Sequence, residues 1–360
     1  MRRKTVILCF QKFVFRRKAR IFAAVMKQNF LSPQPFALEC GETLPSIEIA
    51  YDTYGTLNAA GDNAVWVCHG LTASSDVADW WPRTVEAGRF LDPERHFVVC
   101  ANILGSHYGT TGPLSVNPAT GRPWYGDFPA ISVRDMVRAH QLLARHLGIR
   151  SLRLLVGSSI GGFQALEWLI MEPRFARQAV LIATAARASA WISAFNESQR
   201  MAIEADATYG EPSPEAGLRG MAAARSIALL SYRGAMAYEL TQTDDGEALF
   251  RRRVNSYQRH QGDKIVQRFN AYSYYRLSQS LDSHNVGRGR GGMEQALRRI
   301  ETPVLAIGVS SDIIFPPRDV RRMADGIPHS EYVEITSDFG HDGFLVETDK
   351  LNSIIMQKIF

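Results

Sequence analysis

Three residues of this 360-residue chain have the types that nucleophilic acyl chemistry needs: Ser159, Asp312 and His341. Ser159 is the centre of Gly157-Ser158-Ser159-Ile160-Gly161, a G-x-S-x-G pentapeptide. The apolar run Leu152 to Val156 precedes it, and Phe163-Gln164-Ala165-Leu166-Glu167-Trp168 follows, so a strand, a tight turn and a helix are all in place. Glycines at 157 and 161 remove side chains where strand and helix crowd each other, which lets the serine occupy a strained turn with its hydroxyl projecting. A serine hydroxyl is a poor nucleophile without a base to take its proton, and that base needs a partner to hold its tautomer and stabilise its charge. Asp312 follows the strand-like run Pro303 to Val309, and His341 lies in the glycine-flanked loop after Tyr332 to Ile335. Taken singly, each is an ordinary turn or cap residue. Taken together, the order serine, aspartate, histidine, each past its own strand, is the order of a catalytic relay built on a mostly parallel sheet with a nucleophile elbow. His140 and His146 fall in a helical pattern, and His260 and His284 fall in a helical insertion, so they fit the role less well.

A tetrahedral intermediate also needs two backbone N–H donors. Ile160, the residue after the nucleophile, supplies one. The loop Cys68-His69-Gly70-Leu71-Thr72, after an early apolar run, supplies the other, with Leu71 the expected donor.

The elements that must hold these groups follow from the patterning. Strand-like runs recur at Ser46 to Tyr54, Ala64 to Cys68, His96 to Asn102, Leu152 to Val156, Gln178 to Ala183, Pro303 to Val309 and Tyr332 to Ile335. Helical patterns lie between them, at Ser132 to Leu147 and Ile160 to Met171 among others. Such alternation predicts an α/β fold, a mostly parallel sheet with helices on both faces, and the near-continuous apolar strands suit its buried centre. From about Arg187 to Arg299 the strand pattern stops, and helices are expected near Ala188 to Ala205, Gly217 to Tyr232 and Asp263 to Leu281. The predicted organisation is a basic arm at 1–30, core at 31–186, a helical lid at 187–299 and core again at 300–360. A lid inserted between strands of one sheet closes over the carboxyl ends of those strands.

Charge and composition exclude several partner classes. The net charge of +5 comes from the amino-terminal arm, where eight basic residues precede Met26 and the first acid is Glu39. Without the arm, 33 basic residues face 36 acidic ones, a body with no electrostatic reason to hold nucleic acid. The arm reads as an upstream extension with little order, in preference to a targeting peptide, because it has no clean apolar stretch or small-residue cleavage site. No apolar run reaches the length of a membrane span. The four cysteines lack metal-ligand or paired spacing, so no metal is expected, and reduced thiols suit a cytoplasmic protein.

Longer motifs go beyond the pentapeptide. Asn102-Ile103-Leu104-Gly105-Ser106 through Tyr108-Gly109-Thr110-Thr111-Gly112-Pro113, Asp127-Phe128-Pro129 with Val133-Arg134-Asp135-Met136-Val137, Gly161 to Trp168, and Gly340-His341-Asp342-Gly343-Phe344-Leu345 resemble the homoserine O-acetyltransferases. These are acyltransferases of methionine biosynthesis with the α/β-hydrolase fold. The resemblance runs from about Phe36 to the carboxyl terminus. It implies acetyl transfer from acetyl-CoA, a co-substrate and not a bound cofactor, through Ser159 to the γ-hydroxyl of L-homoserine in a ping-pong cycle, by a homodimer. It also implies that Arg225 grips the homoserine carboxylate, that Asp342 takes the amino group, and that Tyr232 adds a further contact. The family usually reads Gly-Gly-Ser-Met-Gly-Gly at the elbow, where this chain has Ser158 and Ile160 around the nucleophile. Those departures bear on the acyl pocket and keep open an O-succinyltransferase acting on homoserine or serine; the triad itself, which hydrolases share, keeps open a serine esterase or hydrolase of the same fold.

Overall fold

The computed structural model describes residues 28–360, apart from 245, 247 and 248. Eight strands form one sheet: β1 (Gln28–Ser32), β2 (Ile47–Tyr54), β3 (Ala64–Cys68), β4 (Phe97–Ala101), β5 (Leu152–Ser158), β6 (Ala179–Ile182), β7 (Val304–Val309) and β8 (Ser330–Ile335), in the order β1-β2-β4-β3-β5-β6-β7-β8. β2 pairs antiparallel with both β1 and β4, and every other pairing is parallel. Period-two alternation sends side chains to two separate cores. Trp66 and Cys68 of β3 enter one, and Val65 and Val67 enter the other.

The first core packs under α1 (Val133–His146) and α2 (Ile160–Met171). Helix α1 starts at a reciprocal capping box, in which the Ser132 hydroxyl takes the Asp135 amide and the Asp135 carboxylate takes the Ser132 amide. Between β6 and β7 the chain leaves the sheet and builds the helices α3 (Ala190–Glu204), α4 (Leu218–Gln242), α5 (Arg253–Val266), α6 (Ala271–Asp282) and the short α7 (Met293–Leu297). Helix α8 (Pro317–Asp325) follows β7, and α9 (Thr348–Ile359) closes the second core with Leu351, Ile355 and Ile359.

Two expectations change. Strand β1 lies across the boundary placed at residue 30, so residues 28–30 belong to the sheet, paired with Ile49 to Tyr51. Its short, half-exposed alternation, with Leu31 open to solvent, is that of an edge strand and gives a weak signal. Residues 1–27 of the expected arm lie outside the described residues. The single helix expected over Asp263 to Leu281 is two, α5 and α6, because the Asn270 side chain accepts the Ser273 amide and starts a new helix. Helix α4 is interrupted at Gly234, whose φ of 70° and ψ of 166° no helix contains.

Candidate active site

Ser159 occupies the joint between β5 and α2 with φ 58° and ψ −129°. For a residue with a side chain such a backbone costs on the order of 1–3 kcal/mol, so its surroundings must enforce it. They do so through glycine. A β-carbon on Gly161 would lie 2.0 Å from the Cys68 carbonyl oxygen, and one on Gly157 would lie 2.2 Å from the Gly161 oxygen, so only glycine lets β3, β5 and α2 approach this closely. The Ser159 amide donates to the Ile182 carbonyl at 3.0 Å, and the Thr184 hydroxyl donates to the Ser159 carbonyl at 2.9 Å. Thr184 carries no signal in the sequence, because its role is set by β6 lying beside β5.

Pairing of Cys68 with Gly157 makes the turns after β3 and β5 leave the sheet side by side. Leu71 and Ser159 therefore line one narrow cleft, together with Ile192, Ser231, Tyr232 and Phe315. Ile160 is the first residue of α2, where amides have no partner inside the helix. The Leu71 turn is held by a residue to which the sequence gives no role. The Ile103 amide donates to Nε2 of His69 at 3.2 Å, which leaves the proton on Nδ1 to donate to the Gly70 carbonyl at 2.7 Å. Carbonyl and N–H point in opposite directions across a trans peptide, so fixing the Gly70 oxygen also aims the Leu71 N–H. His69 is fully buried, and burial depresses its pKa to about 4, which keeps it in this neutral form.

His341 and Asp312 meet directly. The imidazole Nδ1 lies 2.7 Å from Oδ2 of Asp312, whose other oxygen accepts the Ile314 amide at 2.8 Å and the Phe315 amide at 3.0 Å. Val309 and Ile335 end β7 and β8 in register, and two serines then stitch the departing loops together. The Ser311 hydroxyl donates to the Ser337 carbonyl at 2.6 Å and accepts the Gly340 amide at 2.9 Å, while Ser310 accepts the Ser337 amide at 3.1 Å. The His341 ring packs among Tyr232, Phe315 and Phe344, with centroids 6.0, 5.4 and 5.3 Å away. Burial pulls its pKa down. The Asp312 carboxylate, by charge and hydrogen bond, and Asp342 by charge outweigh that effect, so the net shift is upward from the ordinary 6.5.

The interruption of α4 brings the lid to this point. A β-carbon on Gly340, whose φ is 60°, would come within 2.7–2.8 Å of the Tyr232 and Arg233 backbone, so Tyr232, Arg233 and the His341 turn are in contact. Asp342 pairs with Arg233, Nε to Oδ2 at 3.5 Å. Arg225 lies over the Tyr232 ring at 5.4 Å and acts on Asp342 only through charge. Burial, the largest influence, raises the Asp342 pKa against the pull of Arg233 and Arg225. Arg233, which the sequence reading does not single out, thus stands nearer Asp342 than the expected Arg225 does. Its only sequence signal is its place between Tyr232 and the helix-breaking Gly234. Among the described residues, no group of three or more histidine, cysteine or acidic side chains is placed to hold a metal ion.

Similarity to known proteins agrees with this architecture. Residues 63–348 match the α/β hydrolase fold family. The homoserine O-acetyltransferase of Cyclobacterium marinum is 44% identical over 329 residues, covering 91% of this chain and 94% of that protein. The crystal structure of a homoserine O-acetyltransferase from Bacillus anthracis superimposes with a TM-score of 0.87 at 24% identity, over 93% of this chain and 97% of that one. Esterase E22 superimposes equally well, with a TM-score of 0.87 at 23% identity over 94% of this chain and all of that one. The two superpositions establish the fold; the sequence identity establishes the family. The chain belongs to the homoserine O-acetyltransferase family.

Proposed function

We propose that the protein moves an acetyl group from acetyl-CoA to the γ-hydroxyl of L-homoserine by way of an acyl-enzyme on Ser159. In the first half-reaction the Ser159 hydroxyl passes its proton to His341 as Oγ attacks the thioester carbonyl. The C–S bond then breaks, and the proton leaves with CoA as its thiol. In the second half-reaction the homoserine hydroxyl gives its proton to His341 and attacks the acetyl-serine. The Ser159 Oγ regains that proton as O-acetyl-L-homoserine departs. Asp312 holds the imidazole tautomer and stabilises the imidazolium, and the Leu71 and Ile160 amides stabilise the oxyanion in both halves.

The observation that carries this reading is the 2.7 Å His341–Asp312 contact beside the cleft of Ser159, whose wall includes Tyr232; Arg225 lies over that ring, and Asp342 directly follows His341. A guanidinium suits the homoserine carboxylate, and an ionised acid suits its ammonium. Tyr232, between Arg225 and His341, supplies a further contact. The decisive experiment is a matrix of acetyl-CoA and succinyl-CoA against L-homoserine and L-serine, read by CoA release. Release that requires acetyl-CoA and homoserine together with Ser159 supports the proposal, and undiminished activity of Ser159→Ala would falsify the assigned nucleophile. Preference for succinyl-CoA would make the enzyme a succinyltransferase.

A hydrolytic reading is favoured by one observation, the equal likeness to an esterase fold. CoA release indifferent to homoserine would establish it. We further propose a cytoplasmic homodimer. Leu230, Met236 and Leu240 of α4, with Leu249 and Phe250, are large apolar side chains open to solvent, and a second copy would cover them. Sedimentation equilibrium giving a mass of one chain would exclude the dimer.

A further inference from the structure

The lid grips the core at a second place, remote in sequence from the interrupted helix. Between α5 and α6 the chain runs through Arg268, Phe269 and Asn270, and each of the three touches the core. The Arg268 guanidinium donates through Nη1 to the Thr72 carbonyl at 2.6 Å and to the Tyr108 hydroxyl at 2.6 Å, and its Nη2 lies 3.5 Å from the Thr72 hydroxyl. Phe269 is buried edge-on to Tyr108, with centroids 5.7 Å apart. The Asn270 side chain reaches the His107 ring nitrogen at 2.9 Å. Thr72 directly follows Leu71 in a turn closed by the Ala73 amide on the Gly70 carbonyl at 3.2 Å. The turn that carries the Leu71 amide is therefore held at two carbonyls, that of Gly70 by His69 and that of Thr72 by the lid arginine.

We propose that Arg268 is a positioning residue for the oxyanion site: by locking the Leu71–Thr72 turn, it makes correct seating of the lid a condition for acyl chemistry. The inference rests on the reading of Leu71 as an oxyanion donor and Ser159 as the acylated nucleophile. Without the guanidinium, the Thr72 carbonyl would turn to water and the turn would sample orientations in which the Leu71 N–H misses the developing charge. An oxyanion donor acts through being fixed before the charge arrives. Because a tetrahedral intermediate forms in acylation and again in deacylation, both halves should slow together. An arginine that bound the homoserine carboxylate would affect only the second half. One that bound the phosphates of CoA would affect only reactions with CoA.

The test uses p-nitrophenyl acetate, a small ester containing neither CoA nor an amino acid, alongside the full reaction with acetyl-CoA and homoserine. For Arg268→Ala, kcat/KM for p-nitrophenolate release and kcat for acetyl transfer to homoserine should each fall about tenfold, less than the roughly 10²–10³ lost with a whole oxyanion donor. The KM values for acetyl-CoA and homoserine should stay within about twofold. Arg268→Lys, which keeps one donor for the Thr72 carbonyl, should recover most of the loss. Tyr108→Phe, which removes the hydroxyl that shares the guanidinium and itself lies 3.5 Å from the Thr72 carbonyl, should lower the same two constants to a smaller extent and serves as the second variant if the alanine protein folds poorly. Unchanged p-nitrophenolate release in Arg268→Ala, or a rise confined to one KM, overturns the positioning role. Wild-type release that persists in Ser159→Ala instead overturns the acyl-serine reading, and the positioning role with it.

Discussion

At the scale of single residues, the raised pKa of His341 has a signed consequence. In the proposed relay His341 must be neutral to take the Ser159 proton, so acylation should be lost as pH falls through an ionisation above the ordinary 6.5, measured as kcat/KM against pH. The same shift makes the His341–Asp312 contact stabilising below the ordinary histidine value, a contribution lost as pH rises through the raised one. Asp312→Asn removes the charge that offsets burial, so the inflection should move to lower pH while the rate falls by about 10⁴. An unmoved inflection would show that Asp312 is not the cause. Asp342→Asn should behave differently: homoserine KM rises about tenfold or more while p-nitrophenolate release is kept, because an amide no longer pairs an ammonium. Equal loss in both assays would place Asp342 in the relay and not in acceptor binding.

Among elements, the tight contacts are backbone to backbone, and glycine marks them. Gly340→Ala would push against Tyr232 and Arg233 within 2.7–2.8 Å, where no flexible side chain can give way. The expected result is a displaced lid, with transfer to homoserine lost by at least about tenfold, while the sheet core stays folded by circular dichroism; an active variant would show that the lid seats without this contact. Gly161→Ala meets the Cys68 carbonyl at 2.0 Å where the first turn of α2 crosses the end of β3. It should cost more than the about 1–3 kcal/mol of ordinary overpacking and lower the urea midpoint accordingly.

For the whole molecule, the ties between lid and core include the Tyr232–Gly340 contact, the Arg268 clasp, the Ser280 hydroxyl on the Ile131 carbonyl, and an ion network at the exit of the lid. In that network, Glu167 of α2 is buried with Arg134 at 3.3 Å and Arg290 at 2.7 Å, and Glu39 joins Arg134 and Arg288 at 2.9 Å. Burial outweighs the arginines and raises the Glu167 pKa, so the charged form is penalised in the fold. Arg134 and Arg290 also keep the Arg288 and Val286 carbonyls as acceptors. Glu167→Gln should therefore cost less than the about 3–5 kcal/mol usual for breaking a buried pair, read from urea unfolding; a full loss would mean that the network is strongly stabilising.

Much of this was written locally in the chain. The elbow, the parallel strands and the Ser159, Asp312 and His341 series are short-range patterns of glycine, apolar runs and turn residues, and each is legible without knowing what lies opposite. Homologous motifs added the family, and with it Arg225 and Asp342. What only the tertiary structure decided are relations between distant segments. His69 aims Leu71 because β4 brings Ile103 beside β3. Ser310 and Ser311 join two loops because β7 and β8 pair in register. Arg233 reaches Asp342 because α4 breaks over Gly340, and Arg268 reaches Thr72 because Asn270 starts a new helix where one long helix was expected. Periodicity records which face of an element is buried; it holds no record of which element buries it, and there the supporting residues of this site are chosen.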